Sequence, residues 1–359
     1  MGRLLFGIII DRIRKMIEKF DEFIKMKLII IYFRNEALIF RKKLIRINGK
    51  AVVNSNTKKR IKDYSKEKFG KKCFWPYLAL YTEIRGEFLE GWIPYDFYRF
   101  YLLPKINPKP ALYLADLKTL DYRLFGDFAV KPLFLYISGV FYNTDFEIQE
   151  PGELHSLLSN LNDKIVIKEE GGWGGRQVNI IHSSEFDGKS LNNRKNYVIQ
   201  QYIKQYKVLN DLYPGSVNTF RITTFLKRDG SIVVKYVWLR FGSDGSKVVT
   251  DDGYYLFFSL DGKPESKIYD WKFGIEIGEK HKNTGYLFSD IKIPMFEEML
   301  RCCVTAHKKV PYARLIGWDV CITEAGIPKL LEWNSNNPDL PSQDARFGPF
   351  WKEEINSEF

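Results

Sequence analysis

From about residue 160 onward the chain reads as short β-forming runs separated by tight turns, and this pattern constrains the fold more than any other feature. KIVIKEE (164–170), VNIIHS (178–183), YVIQQYI (197–203), TFRITTFLK (219–227), SIVVKYVWLRF (231–241) and YYLFFSL (254–260) are rich in branched and aromatic residues, the side chains that suit a pleated, half-buried surface. Arg228-Asp229-Gly230 and Asp261-Gly262 supply hairpin-turn chemistry. A helical pattern near 294–308 (PMFEEMLRCCVTAHK) precedes two final strands, and helical signals dominate up to about residue 125. The expected architecture is α+β, with antiparallel sheet in the second half behind a helical N-terminus. No internal repeat or low-complexity linker interrupts it.

Charge separates the two ends. The chain has a formal net charge of +11, yet residues 1–72 hold 21 Lys/Arg against 7 Asp/Glu, while 73–359 hold 34 against 37. This weakens a reading of the body as a nucleic-acid binder, which should carry its own basic face. Cys73, Cys302, Cys303 and Cys321 form no CxxC pair, so neither a disulfide framework nor a zinc site is indicated, and a reducing, cytoplasmic setting is expected. Near the start, Leu5, Ile9, Ile13, Ile17, Phe20, Ile24 and Leu28 recur in steps of three or four, with Arg12, Arg14, Lys15, Lys19 and Lys25 between them. This spacing predicts a basic amphipathic helix. Its apolar runs are too short to span a bilayer. Two roles stay open: a helix lying on an anionic membrane surface, or one packed on its own protein.

Three constellations carry chemistry. In LIGWDVCITEAGIPKLLEWNSNNPDL (315–340), Ala325-Gly326-Ile327-Pro328 is read as a turn between two strands. Glu332 and Asn334 are two apart and leave their strand on one face, and Asp319 on the partner strand can point the same way. Two acids and an amide oxygen make a hard oxygen site suited to Mg²⁺; a solvated hairpin face is the alternative. Lys168 precedes Gly171-Gly172-Trp173-Gly174-Gly175-Arg176, glycines that let backbone N–H groups approach phosphate. The spacing matches neither a Walker A loop nor a Rossmann fingerprint. Arg221 alternates with Phe220 and Ile222 on a predicted strand, and Arg240 sits in WLRFG; either is equally readable as a salt-bridged strand arginine.

In this order the pieces resemble the ATP-grasp superfamily, in particular the branch associated with sugar transfer and polysaccharide biosynthesis. The resemblance covers roughly 110–340 and is densest in LNDLYPGSVNTFRITTF and in the stretch from HKNTGYLFSD to KLLEWN. It implies an ATP-grasp fold, in which two α+β subdomains grip ATP between antiparallel sheets, here behind a basic helical region at 1–72 and an aromatic-rich connection at 73–110. The subdomains are expected at 111–205 and 206–350, with a tail at 351–359. It further implies that Asp319, Glu332 and Asn334 hold Mg²⁺. Lys118, Lys168, the glycines at 171, 172, 174 and 175, and the hinge residues Gln200, Gln201, Tyr202 and Ile203 are matched to ATP binding. Arg221 faces the reacting phosphoryl group, with Arg240 as a second catalytic candidate. Gln201 stands where the family usually has an acid, and the SNNPD loop after Asn334 is one residue longer than the commonest form.

The implied reaction is ATP-dependent ligation of an amine, such as an amino acid, to a carboxylated sugar through an acyl phosphate. A kinase of the same superfamily and a non-catalytic membrane scaffold are the alternatives, and a nucleic-acid role is the weakest. An anionic membrane surface contacted by residues 1–72 is the possible macromolecular partner, which gives a cytoplasmic protein, peripheral on the inner membrane face. Asp319→Asn and Glu332→Gln are each expected to abolish ADP formation while the fold persists.

Overall fold

The computed structural model describes residues 2–171, 177–249, 254–270, 275–338 and 341–358, with the side chains of 2–23, 151 and 341–343 outside that description. The chain divides into two compact units, one formed by residues 1–102 with 341–357, the other by 103–340 with Glu358.

The first unit is helical. α1 (Gly2–Asn48) is one continuous helix of 47 residues, longer than the periodicity over 1–33 predicts. Ile30, Ala37 and Leu44, seven residues apart, are buried, which places them along one side of the helix. α2 (Ser55–Phe69) starts at Asn54, whose side chain accepts from Thr57 N–H at 2.9 Å, and ends at Gly70 in the left-handed region. α3 (Trp75–Arg85) is buried from Pro76 to Ile84. Its one acid, Glu83, takes two bonds from Arg41 of α1 at 3.0 and 2.8 Å and the backbone N–H groups of Val52 and Val53 at 2.7 and 3.3 Å. A buried carboxylate is tolerated when its lone pairs are filled in this way. Residues 341–357 pack in this unit, with Trp92 Nε1 donating to Asp344 O at 2.9 Å.

The second unit contains two five-stranded antiparallel sheets. The first comprises β1 (Pro132–Ile137), β2 (Val140–Tyr142), β3 (Lys164–Glu169), β4 (Val178–His182) and β5 (Tyr197–Gln201), in the order β2-β1-β5-β3-β4. β1 and β2 lie ahead of residue 160, where the sequence pattern places no strand. Their turn is only Ser138-Gly139, both at positive φ, so the whole hairpin is compressed into eleven residues. The second sheet comprises β6 (Thr219–Leu226), β7 (Ile232–Phe241), β8 (Tyr254–Phe258), β11 (Leu315–Ile322) and β12 (Pro328–Asn334), in the order β12-β11-β6-β7-β8. The short pair β9 (Ile268–Tyr269) and β10 (Glu276–Gly278) stands apart from both sheets.

One face of the second sheet is apolar. Phe220, Ile222, Val237, Leu239, Trp318 and Val320 pack with Phe296, Met299, Cys303 and Ala306 of the helix Phe296–His307. A polar chain runs through that core. Trp318 Nε1 donates to Thr224 Oγ1 at 2.7 Å, and Thr224 Oγ1 meets His307 Nδ1 at 2.7 Å. His307 Nε2 lies 2.9 Å from Ala313 O. A carbonyl only accepts, so Nε2 carries the proton and Nδ1 accepts from the Thr224 hydroxyl. Burial pushes the His307 imidazole down from 6.5 to about 4.

The depressed folded-state value fixes the sign of the pH effect. Below pH 6.5 the unfolded chain takes up a proton that the folded chain refuses, so stability is full above 6.5 and is lost as pH falls toward 4. A shift of that size is worth ~3 kcal/mol. Thermal unfolding between pH 7 and pH 4.5 should therefore show a steep loss in the wild type and a shallower one in His307→Gln.

Candidate active site

The other face of the second sheet is polar, and strand register builds it. Arg221 pairs with Asp319 on one side and Trp238 on the other, and Asp319 pairs with Glu332. The rows on either side bring Arg240 opposite Thr219, and Gly317 between Thr223 and Asn334. Cross-strand partners share a face, so Arg221, Arg240, Asp319, Glu332 and Asn334 stand on one surface. Phe220, Ile222 and Trp318, next to them along the strands, point into the core.

A β-bulge makes this possible. Asp319 pairs with Glu332 but Val320 pairs with Leu330, which leaves Leu331 as the extra residue on β12. In a regular strand Leu330 and Glu332 would share a face. The bulge resets the alternation, so Leu330 and Trp333 enter the core while Glu332 and Asn334 reach the site. It also turns the Leu331 carbonyl toward Lys168 Nζ, 3.3 Å away.

Asp319 is the electrostatic centre. Arg221 grips it with Nε to Oδ1 at 2.6 Å and Nη2 to Oδ2 at 3.0 Å, and Arg240 Nη2 adds a contact to Oδ2 at 2.8 Å. Asn334 Nδ2 approaches Asp319 Oδ2 at 3.2 Å and Glu332 Oε1 at 3.5 Å. Burial pushes the Asp319 carboxyl up, but Arg221 and Arg240 outweigh it and hold the group below the usual carboxylate range. Glu332 moves the opposite way, raised by burial and by the neighbouring Asp319. The two carboxylates thus have divergent proton affinities, an arrangement found at functional sites.

The first sheet and the helical segment before it bring the cations. Lys118 Nζ lies 3.9 Å from Glu332 Oε2 and donates to Glu169 O at 3.3 Å. Lys168 is half-buried, and desolvation lowers its ammonium pKa. A cavity of ≈ 130 Å³ joins these groups: Lys118, Lys168, Arg240, Asp319 and Glu332 line it together with Gln200, Gln201, Tyr202 and Ile203. Arg221 and Asn334 are not in its wall, although both bind Asp319. Gly171 lies at positive φ with its N–H 3.4 Å from Asp116 O. Gly172, Gly174 and Gly175 fall outside the described residues.

Several wall residues escape the sequence motifs. Val166, Val178, Ile180 and Val217 provide apolar surface, and Thr219, Gln177 and Lys247 add polar atoms. Val166 was legible in principle: Ile165 and Ile167 belong to the core of the first sheet, so alternation turns Val166 and Lys168 the other way. Lys247 follows a loop after β7 and has no such signal. Asp121 was also missed. It accepts from Trp333 Nε1 at 3.1 Å, and burial pushes its carboxyl up to about 8. Gly317 is required by packing, since a Cβ there would come within 2.5 Å of Pro338 O. The loop after Asn334 rests on this spot, with Thr223 Oγ1 donating to Pro338 O at 2.9 Å and Arg221 Nη1 to Asn337 O at 3.2 Å.

Two carboxylates and an amide are a donor set that fits a hard divalent cation. Among the described residues no group of three or more His, Cys, Asp or Glu could hold a metal; beside the two acids, Asn334 is the side chain that offers a further oxygen donor. Its Nδ2 faces both carboxylates, and coordination through Oδ1 requires the amide to turn over.

Two antiparallel sheets within one unit, with Lys168 from one and paired acids from the other lining a shared cavity, are the arrangement of the ATP-grasp fold. Residues 188–346, a little under half of the chain, match the family model described as sugar-transfer associated ATP-grasp, and over that stretch the chain is similar to this family. No curated protein matches the chain. Solved structures similar to it include the ATP-grasp ligase PsnB complexed with minimal precursor, at 12% identity over 67% of this chain and 56% of that one, TM-score 0.33. The D-cycloserine synthetase DcsG matches at 12% identity over 70% and 72%, TM-score 0.41. D-alanyl-alanine synthetase A from Vibrio cholerae matches at 11% over 69% and 66%, TM-score 0.39. The chain spans little more than half the length of PsnB.

The geometry separates the two acids experimentally. Asp319→Asn takes the counter-charge from the buried Arg221 and from the partly exposed Arg240, a loss of about 3–5 kcal/mol for a buried pair. Glu332 is half-buried, and Glu332→Gln loses only the long 3.9 Å contact with Lys118. Thermal unfolding should show a large drop for Asp319→Asn and a small one for Glu332→Gln.

Proposed function

We propose that the protein is an ATP-dependent carboxylate–amine ligase working through an acyl phosphate, with a carboxylated sugar as acceptor and an amino acid or similar amine as nucleophile in surface polysaccharide biosynthesis. The observation that carries the reading is one cavity walled by Lys118, Lys168, Arg240, Asp319 and Glu332 together with Gln200, Gln201, Tyr202 and Ile203. Phosphoryl transfer needs charge neutralisation and alignment more than proton chemistry, and this wall offers both.

In the proposed site, Val166, Ile180 and Val217 pack on the adenine while the backbone at 200–203 meets its edge. Lys118 and Lys168 hold the phosphates, and the glycines at 171, 172, 174 and 175 close over them, excluding water. Mg²⁺ held by Asp319, Glu332 and Asn334 would neutralise charge on the β- and γ-phosphates. A carboxylate oxygen attacks the γ-phosphorus and the bond to ADP breaks. The amine nitrogen then attacks the acyl carbon, inorganic phosphate departs and the nitrogen loses a proton. Arg221 and Arg240 offset the negative charge that develops in each step. An anionic membrane surface as partner of residues 1–72, with the protein peripheral on the inner membrane face, belongs to the same proposal.

Incubation with Mg²⁺–ATP and a panel of uronic acids and amino acids, read by mass spectrometry, tests it. The expected result is ADP, phosphate and a condensed product of one acid and one amine, all absent with Glu332→Gln. A phosphorylated sugar formed without any amine would establish the kinase alternative. No nucleotide turnover and no nucleotide-dependent thermal shift would leave the scaffold.

A further inference from the structure

We infer that the outward face of α1 between Ile24 and Ile47 docks on an anionic lipid surface. This deepens the membrane part of the proposal above and does not depend on the ligation reaction. α1 carries two stripes. At 100° per residue, Ile30, Ala37 and Leu44 mark the buried side. Leu28, Ile31, Tyr32 and Ile39 lie on the opposite side, with exposures of 61%, 52%, 64% and 52%. Lys42 and Arg46 continue that outer stripe and are exposed. A helix packed only on its own protein has one apolar stripe and a polar back. Here exposed apolar side chains are set among the cations of the back.

Charge selects the occupant. From Ile24 to Lys50 the sequence has eight Lys/Arg and a single acid, Glu36. Exposed Lys25 and Lys43 add to the charge of the outer stripe. Branched aliphatic side chains and a tyrosine set among lysines match the headgroup boundary of an anionic leaflet, where the apolar groups enter the acyl edge and the amines meet phosphate. Among the described residues no helix is long and apolar enough to cross a membrane, so the helix lies along the surface.

The test uses the full chain and co-sedimentation with phosphatidylglycerol-containing vesicles, against pure phosphatidylcholine, at low and high salt. The wild type should pellet with the anionic vesicles at low salt and be released by high salt. The double variants Ile31→Glu/Tyr32→Glu and Lys42→Glu/Arg46→Glu should each lower partitioning by about tenfold or more. Tyr312→Glu, at an exposed position of the other unit, should leave it unchanged. Wild type that stays in the supernatant, or α1 variants that bind like wild type, would overturn the inference. So would light scattering that shows a dimer dissolved by Ile31→Glu/Tyr32→Glu in a protein that ignores vesicles, because the face would then meet a second copy. ADP release from the same variants, read without vesicles, reports on the ligase reading separately.

Discussion

Arg221 and Asp319 face each other across adjacent strands in the middle of the second sheet, and their bidentate contact organises the rest of the site. Arg221 is buried, and burial works against its charge; the Asp319 carboxylate more than offsets this and raises the guanidinium pKa. Arg240 reaches the same carboxylate from β7, Asn334 from β12. Four strands, β6, β7, β11 and β12, are thus tied through one side chain. An unpaired charge in that position would be among the most destabilising features a sheet can contain, so the pairing supports both the polar face and the fold beneath it.

The same interaction bears on how a cation would be held. Both Asp319 oxygens already serve arginines, whereas Glu332 has a milder environment, with Lys118 at 3.9 Å and raised proton affinity. A metal would meet Glu332 as the more available acid and share Asp319 with the arginines. In the proposed reaction Arg240, which lines the cavity, thereby stands beside the phosphates, with Arg221 behind Asp319. The Ser335–Pro338 loop, seated on Gly317, holds this geometry from above the sheet.

Much of this was legible from the residues. Strand-forming runs and turn glycines located β3 to β8 within a residue or two, and the apolar alternation about Arg221 turned it away from the core. The hairpin β1–β2 was not legible, because a two-residue turn and a three-residue strand leave too short a pattern to rise above the surrounding helical signal. Lys247 and Gln177 reach the cavity by the path of the chain between elements, which no periodicity encodes. Asp121 was hidden for another reason. It looks like an ordinary helix-start acid, and only the arrival of the Trp333 indole, 212 residues away, gives it a role.

By itself the sequence determined the β-forming runs, the turns, the basic N-terminal segment and the spacing of Asp319, Glu332 and Asn334, since these depend on local conformational preference and side-chain chemistry. It left the terminal hairpin readable as a solvated face and α1 as either a packed helix or a surface helix. Tertiary structure decided both. The bulge at Leu331 exists only because β12 pairs with β11, and it alone sends Leu330 inward and Glu332 to the cavity. Likewise only the packing of Ile30, Ala37 and Leu44 shows which stripe of α1 is covered, leaving Leu28, Ile31, Tyr32 and Ile39 on the other. Which face of an element is buried is a property of its neighbours, and neighbours distant along the chain are not written in local pattern.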